Sequence, residues 1–306
     1  MLKHRLFCAA TGLLLSVALL AGCGGASASK GTGDTIVVGS KDFTESILLG
    51  EIAAQLIENR TDLKVERKHS LGGTSVNFNG LKNGDITLYA EYDGTAYGPI
   101  LGHTEPIADP AKLHEQVKKE FEERFRITWS EPLGMNNTYT LAVPREIAEK
   151  YNLKTYSDLL AVDDQLVFGT TNEFMGRQVD GYYPLVETYG FEFKRVATMQ
   201  TGLRWKAIET GEIQVIDAYA TDGKLVEFDM VILEDDKHFF PPYNGAYVVR
   251  MDAVEAHPEI LDLLNELGGL LPDEKMQQLN YRVDSLEEPV EKVARDFLVE
   301  QGLIEP

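Results

Sequence analysis

The chain has 306 residues, 43% hydrophobic and 25% charged, with a formal net charge of −20, which is length and apolar material enough for two domains of ordinary size. So acidic a surface repels nucleic-acid phosphates and anionic lipid headgroups, and excludes both as unaided partners. Only Cys8 and Cys23 are present.

At the N-terminus, Lys3, His4 and Arg5 precede an apolar run from Leu13 to Leu20 and then Ala21-Gly22-Cys23. A basic segment, a short apolar core and small residues before a cut describe a secretory signal peptide over residues 1–22, too short to span a membrane. Leu20-Ala21-Gly22-Cys23 resembles the bacterial lipobox, so Cys23 is expected to be lipidated and to become the first mature residue. With Cys8 in the leader, the mature fold then has neither a disulfide nor a thiol site. Residues 23–33, rich in Gly, Ser and Ala, read as a flexible tether.

The mature chain alternates short β-rich runs with helical patterns. Thr35–Gly39 predicts a strand, and apolar residues from Ile47 to Ile57 recur at helical spacing. A strand follows over Lys64–His69, then a loop at Gly72-Gly73-Thr74-Ser75 with a capped helix ending near Asn83. Ile86–Ala90 is expected as a third strand, Pro110–Phe125 as an amphipathic helix, and Ile127–Trp129 as extended. After Asn136-Asn137 the cycle restarts, with strands at Thr140–Val143, Leu166–Thr170, Phe193–Ala197 and Gln214–Ala218. Helices are expected at Pro144–Tyr151, at Gly176–Tyr189 with an irregularity at Pro184, and at Thr201–Thr210. Ala246–Met251 then extends, and the tail reads as three helices. Such alternation predicts an α/β protein with mostly parallel sheets.

One unit occurs twice. Gly84-Asp85-Ile86-Thr87-Leu88 leads to Tyr92, and Gly211-Glu212-Ile213-Gln214-Val215 leads to Tyr219 at the same distance. Each reads as a helix stopped by glycine, a short strand, and a tyrosine in the loop beyond it, where open α/β sheets bind ligands. Two similar halves follow. The expected organisation is a discontinuous first lobe, residues 34–137 with 246–306, and an inserted second lobe, 138–245, joined by crossing strands near Asn137 and Tyr243.

Five motifs occur in order: Lys41-Asp42-Phe43-Thr44-Glu45-Ser46, Tyr92-Asp93-Gly94-Thr95, Asn136-Asn137-Thr138-Tyr139, Ala218-Tyr219-Ala220-Thr221-Asp222-Gly223 and Phe239-Phe240-Pro241-Pro242-Tyr243. Together they resemble the substrate-binding lipoproteins of ABC-type importers for osmoprotectants such as glycine betaine, carnitine and choline. The resemblance implies a two-lobed type II periplasmic-binding-protein fold with a central ligand cleft and hinge. It implies an extracytoplasmic, lipid-anchored monomer that works with permease and ATPase subunits, without cofactor, metal or enzymatic activity. It assigns a cation cage to Tyr92, Tyr139, Tyr219 and Tyr243, with Asn137 nearby, and a ligand carboxylate to Lys41, Thr95 and Arg177. The chemistry agrees, since a trimethylammonium has no N–H to donate and is recognised by size and by cation–π attraction, about 0.5–2 kcal/mol per ring. A choline-preferring receptor, and an enzyme or sensory lipoprotein on the same scaffold, stay open as alternatives. No metalloprotease helix, nucleophile elbow or phosphate-binding glycine loop is present to favour an enzyme.

Overall fold

The computed structural model describes residues 35–105 and 107–306. The expected signal peptide, the tether and Cys23 lie outside the described residues. Two five-stranded sheets organise the chain. The first has the order β2-β1-β3-β10-β4, with β1 Thr35–Gly39, β2 Lys64–Lys68, β3 Leu88–Tyr92, β4 Ile127–Trp129 and β10 Gly245–Arg250. The second has the order β7-β6-β8-β5-β9, with β5 Tyr139–Pro144, β6 Val167–Thr170, β7 Arg195–Thr198, β8 Val215–Tyr219 and β9 Met230–Ile232.

Each sheet is the core of a lobe. Helix Thr44–Arg60 buries Leu48, Leu49, Ile52 and Leu56 completely between the first sheet and the C-terminal helices, where Val293, Phe297 and Leu298 meet it. A helix apolar on so many sides has to be covered on all of them, and each such side chain contributes roughly 1.5–3 kcal/mol. In the second lobe Leu141, Phe168, Leu185 and Val215 form the corresponding core. Helix Pro110–Phe125 begins as its sequence dictates: Asp109 accepts from the amides of Ala111 and Lys112, and Pro110 occupies the first turn.

The structure departs from expectation in several places. The sheets are mixed, because β10 runs antiparallel to β3 and β4, and β5 antiparallel to β8 and β9. Tyr92 and Tyr219 end their strands instead of lying in the loops beyond. The segment 176–189 is broken, with helices Asn172–Gly176 and Tyr182–Tyr189 separated by an extended Arg177. Pro184 falls in the first turn of the second helix, where its missing N–H costs nothing. Finally, helix Thr74–Asn83 opens on Gly73 without a side-chain cap.

The chain passes between the sheets twice, through 136–138 and 241–244, and these segments run side by side. Asn136 and Asn244 form an antiparallel bridge, Asn137 N donates to the Tyr243 carbonyl at 3.1 Å, and Tyr243 N donates to Asn136 Oδ1 at 2.7 Å. Asp93 ties this pair to β3 by accepting from Asn244 N and Nδ2 at 2.8 and 2.7 Å. Burial pushes its carboxyl up to about 6. A Cβ on Gly94 would lie 2.5 Å from the Pro242 carbonyl and 2.8 Å from the Tyr243 ring. Glycine there lets the second crossing segment lie against the end of β3.

Candidate functional site

A cavity of about 730 Å³ opens between the lobes, at the carboxyl ends of β3 and β8. Lys41, Tyr92, Thr95, Asn137, Tyr139, Arg177, Tyr219 and Tyr243 all line it. Residues from the turn after β1, the ends of β3 and β8, both crossing segments and the break at 177 are thus brought to one place. A second concavity, between Arg60–Lys64 and Glu259, has no aromatic lining.

The rings differ in their setting. Tyr92 and Tyr139 are buried at 6% and 7% exposure, whereas Tyr219 is 42% exposed. Tyr139 and Tyr219 are adjoining walls: their centroids are 4.7 Å apart at 38°, and their hydroxyls hydrogen-bond at 2.9 Å. Phe174 and Phe240 back Tyr139 at 5.1 and 6.2 Å. Burial raises the phenol pKa at all four tyrosines, so they stay neutral and keep their hydroxyl donors.

Both cations expected at the ligand carboxylate have acidic partners of their own. The Lys41 ammonium is buried, bonds Glu91 and lies 4.9 Å from the Tyr92 ring centre. Arg177 engages Asp180 through Nε and Nη2, and its guanidinium lies 4.8 Å from the Tyr139 ring centre. Arg177 also interacts with the Tyr243 hydroxyl. With these cations matched, Asp42, Glu45, Asp222 and Asp284 leave the lining with an excess of acid, which favours a cationic guest.

Residues beyond those expected also line the cavity. Phe43 lies parallel to Tyr92 at 6.5 Å, and Glu45, Thr221, Asp222 and Asn280 complete the wall. Four of these five stand inside the quoted motifs, so their positions were in view without their roles. Asn280, on helix Asp273–Asp284, carried no local signal. This helix also joins the lobes: Gln277 Nε2 donates to the Ala220 carbonyl at 2.6 Å, and Asn280 Nδ2 to the Thr221 carbonyl at 2.9 Å.

Comparisons with known proteins agree on one family. The model of the OpuAC family, the substrate-binding domain of ABC-type glycine betaine transport systems, matches residues 34–300. The chain is 40% identical over 295 residues to a carnitine transport binding protein of Listeria monocytogenes, covering 96% of this chain and 94% of that protein. It is 37% identical over 269 residues to an ergothioneine transport permease and binding protein of Helicobacter pylori, covering 88% of this chain and 48% of that one. A crystal structure of a glycine betaine/carnitine/choline ABC transporter superposes with a TM-score of 0.83 at 33% identity, covering 88% of this chain and 99% of that chain. These are transport proteins, not enzymes. No described helix is long and apolar enough to cross a membrane.

Proposed function

We propose that this chain, which belongs to the OpuAC family of substrate-binding domains of ABC-type glycine betaine transport systems, captures a quaternary-ammonium osmolyte between its lobes and delivers it to a membrane permease. The reading rests on one observation above the others: four tyrosines, from both lobes and one crossing segment, line a single cavity with an acidic excess. The ammonium head sits among Tyr92, Tyr139, Tyr219 and Tyr243, where four desolvated rings supply several kcal/mol of the ~8 kcal/mol that micromolar affinity needs. Asn137 adds a polar oxygen. Thr95 and Arg177 receive the carboxylate of a betaine. Lys41 adds a donor there and no net charge, because Glu91 neutralises it. The lobes, 34–137 with 246–306 and 138–245, close about the paired crossing segments, so the ligand touches both lobes only in the shut form. The protein works as a monomer held at the outer face of the cytoplasmic membrane by a lipid on Cys23, and its closed form docks on a membrane permease powered by a cytosolic ATPase.

A choline-preferring site is the second reading, favoured by the acidic partners already on Lys41 and Arg177. A thermal-shift screen separates the two. Glycine betaine and carnitine at about 100-fold excess over Kd should each stabilise the protein by ~2.7 kcal/mol, and ectoine, without a quaternary nitrogen, should not. Arg177→Ala should weaken glycine betaine about tenfold and leave choline within about threefold. Equal losses for both ligands would remove Arg177 from the carboxylate site, and no stabilisation by any quaternary amine would end the transport reading.

A further inference from the structure

Beneath Tyr92 lies a buried carboxylate counted above only for its charge. Glu45 is 4% exposed, at the start of helix Thr44–Arg60. Its Oε1 accepts from the Tyr92 hydroxyl and from Asn137 Nδ2 at 2.9 Å, and its Oε2 accepts from Asn280 Nδ2 at 3.0 Å. These donors come from the end of β3, from a crossing segment and from the helix that meets the second lobe. The two amide nitrogens only donate and the phenol is free to donate, a set matched by an ionised carboxylate, which only accepts. The consequence for the two amides is geometric. With each nitrogen fixed on Glu45, each carbonyl oxygen has to point elsewhere, and Asn137 Oδ1 and Asn280 Oδ1 are both buried without a hydrogen-bond partner among the described residues. Both residues line the cavity. Two electron-rich oxygens without N–H or O–H partners suit N-methyl groups, which offer polarised C–H bonds and a distributed positive charge.

Resting on the reading of this cavity as a quaternary-ammonium site, we infer that Glu45 is the positioning residue of that site: its carboxylate supplies a buried countercharge, holds Tyr92, and turns the oxygens of Asn137 and Asn280 toward the ligand's head. Burial raises the carboxyl above its ordinary value, while Thr221, Tyr92, Asn280 and Asn137 draw it back. A bound cation favours the ionised form, so affinity is full above the Glu45 pKa and is lost as the pH falls through it. The other charged groups that line the cavity are Lys41, Asp42, Arg177, Asp222 and Asp284, with Glu91 paired to Lys41 and Asp180 to Arg177.

The test pairs glycine betaine with 3,3-dimethylbutanoate, which keeps the carboxylate and replaces the ammonium nitrogen by carbon. Glu45→Gln should weaken glycine betaine by about tenfold or more, change the neutral-headed analogue by less than about threefold, and abolish the acid-side loss of betaine affinity. Equal losses for both ligands would reduce Glu45 to a structural role, and unchanged betaine binding would overturn the inference outright. Failure of the wild-type protein to bind glycine betaine would instead sink the functional reading, so the two failures are distinguishable. Should Glu45→Gln not fold, Asn280→Ala leaves the carboxylate and withdraws one donor. The midpoint of the acid-side loss should then move to higher pH, and an unmoved midpoint would overturn the inference.

Discussion

Replacing Tyr139 or Tyr219 by alanine is expected to weaken glycine betaine binding by about 10- to 30-fold, the equivalent of ~1.4–2 kcal/mol from one desolvated cation–π contact. The two rings adjoin at 4.7 Å and their hydroxyls meet at 2.9 Å, so each removal also loosens its neighbour. Tyr139→Phe keeps the ring and loses the hydroxyl's contacts with Tyr219 and with Glu173 Oε1 at 3.2 Å, for which a loss of about threefold is expected. Tyr97→Ala is the control. Its ring stacks on His103 at 4.3 Å within the first lobe and is not among the cavity-lining residues, so affinity should stay within about threefold of wild type. Calorimetry on the four proteins checks the set, with thermal midpoints recorded to separate lost binding from lost folding. Equal affinities for Tyr97→Ala and Tyr139→Ala would remove the cage from the account.

The second large effect is expected at a residue whose side chain is absent. Gly223 opens the short helix Lys224–Glu227 of the second lobe with ordinary right-handed geometry, so alanine there meets no backbone strain. A Cβ would however lie 2.4 Å from the backbone nitrogen of Tyr281 and 2.8 Å from the carbonyl carbon of Asn280, in the first lobe. Such contacts are relieved only by moving the lobes apart. Gly223→Ala is therefore expected to lower affinity for every ligand by about tenfold or more, and to do so equally for betaines and choline. Small-angle scattering at saturating wild-type ligand should show the variant more extended than the wild type. Wild-type affinity in Gly223→Ala would mean that this contact has no part in the ligand-bound form.

Much of this architecture was legible in local sequence, and what was not has identifiable physical causes. The β1 strand and the long helix after it follow from apolar spacing and were anticipated within a few residues. Motif order brings the four tyrosines into view and all four line the cavity, although Tyr92 and Tyr219 are the last residues of their strands. An apolar pattern marks the covered part of a strand and falls silent where the backbone ladder continues toward a cleft. The direction of β5 and β10 was hidden for a different reason: a strand entering a sheet from a crossing segment has its sense fixed by the other lobe, not by its own residues. Glu45 shows the limit most sharply. Its residue type and motif were in view, yet its partners stand at positions 92, 137 and 280, and only tertiary folding brings three donors to one carboxylate. The same holds for Lys41 and Arg177. Both read as free cations in sequence, and both carry an acidic partner in the fold.

The most direct test of the central claim is a crystal structure of the protein grown with glycine betaine. The account predicts the trimethylammonium within about 6 Å of the ring centres of Tyr92, Tyr139, Tyr219 and Tyr243, with the carboxylate directed to Arg177 and Thr95. A ligand head lying outside the four rings, or the opposite orientation with the carboxylate in the cage, would contradict it.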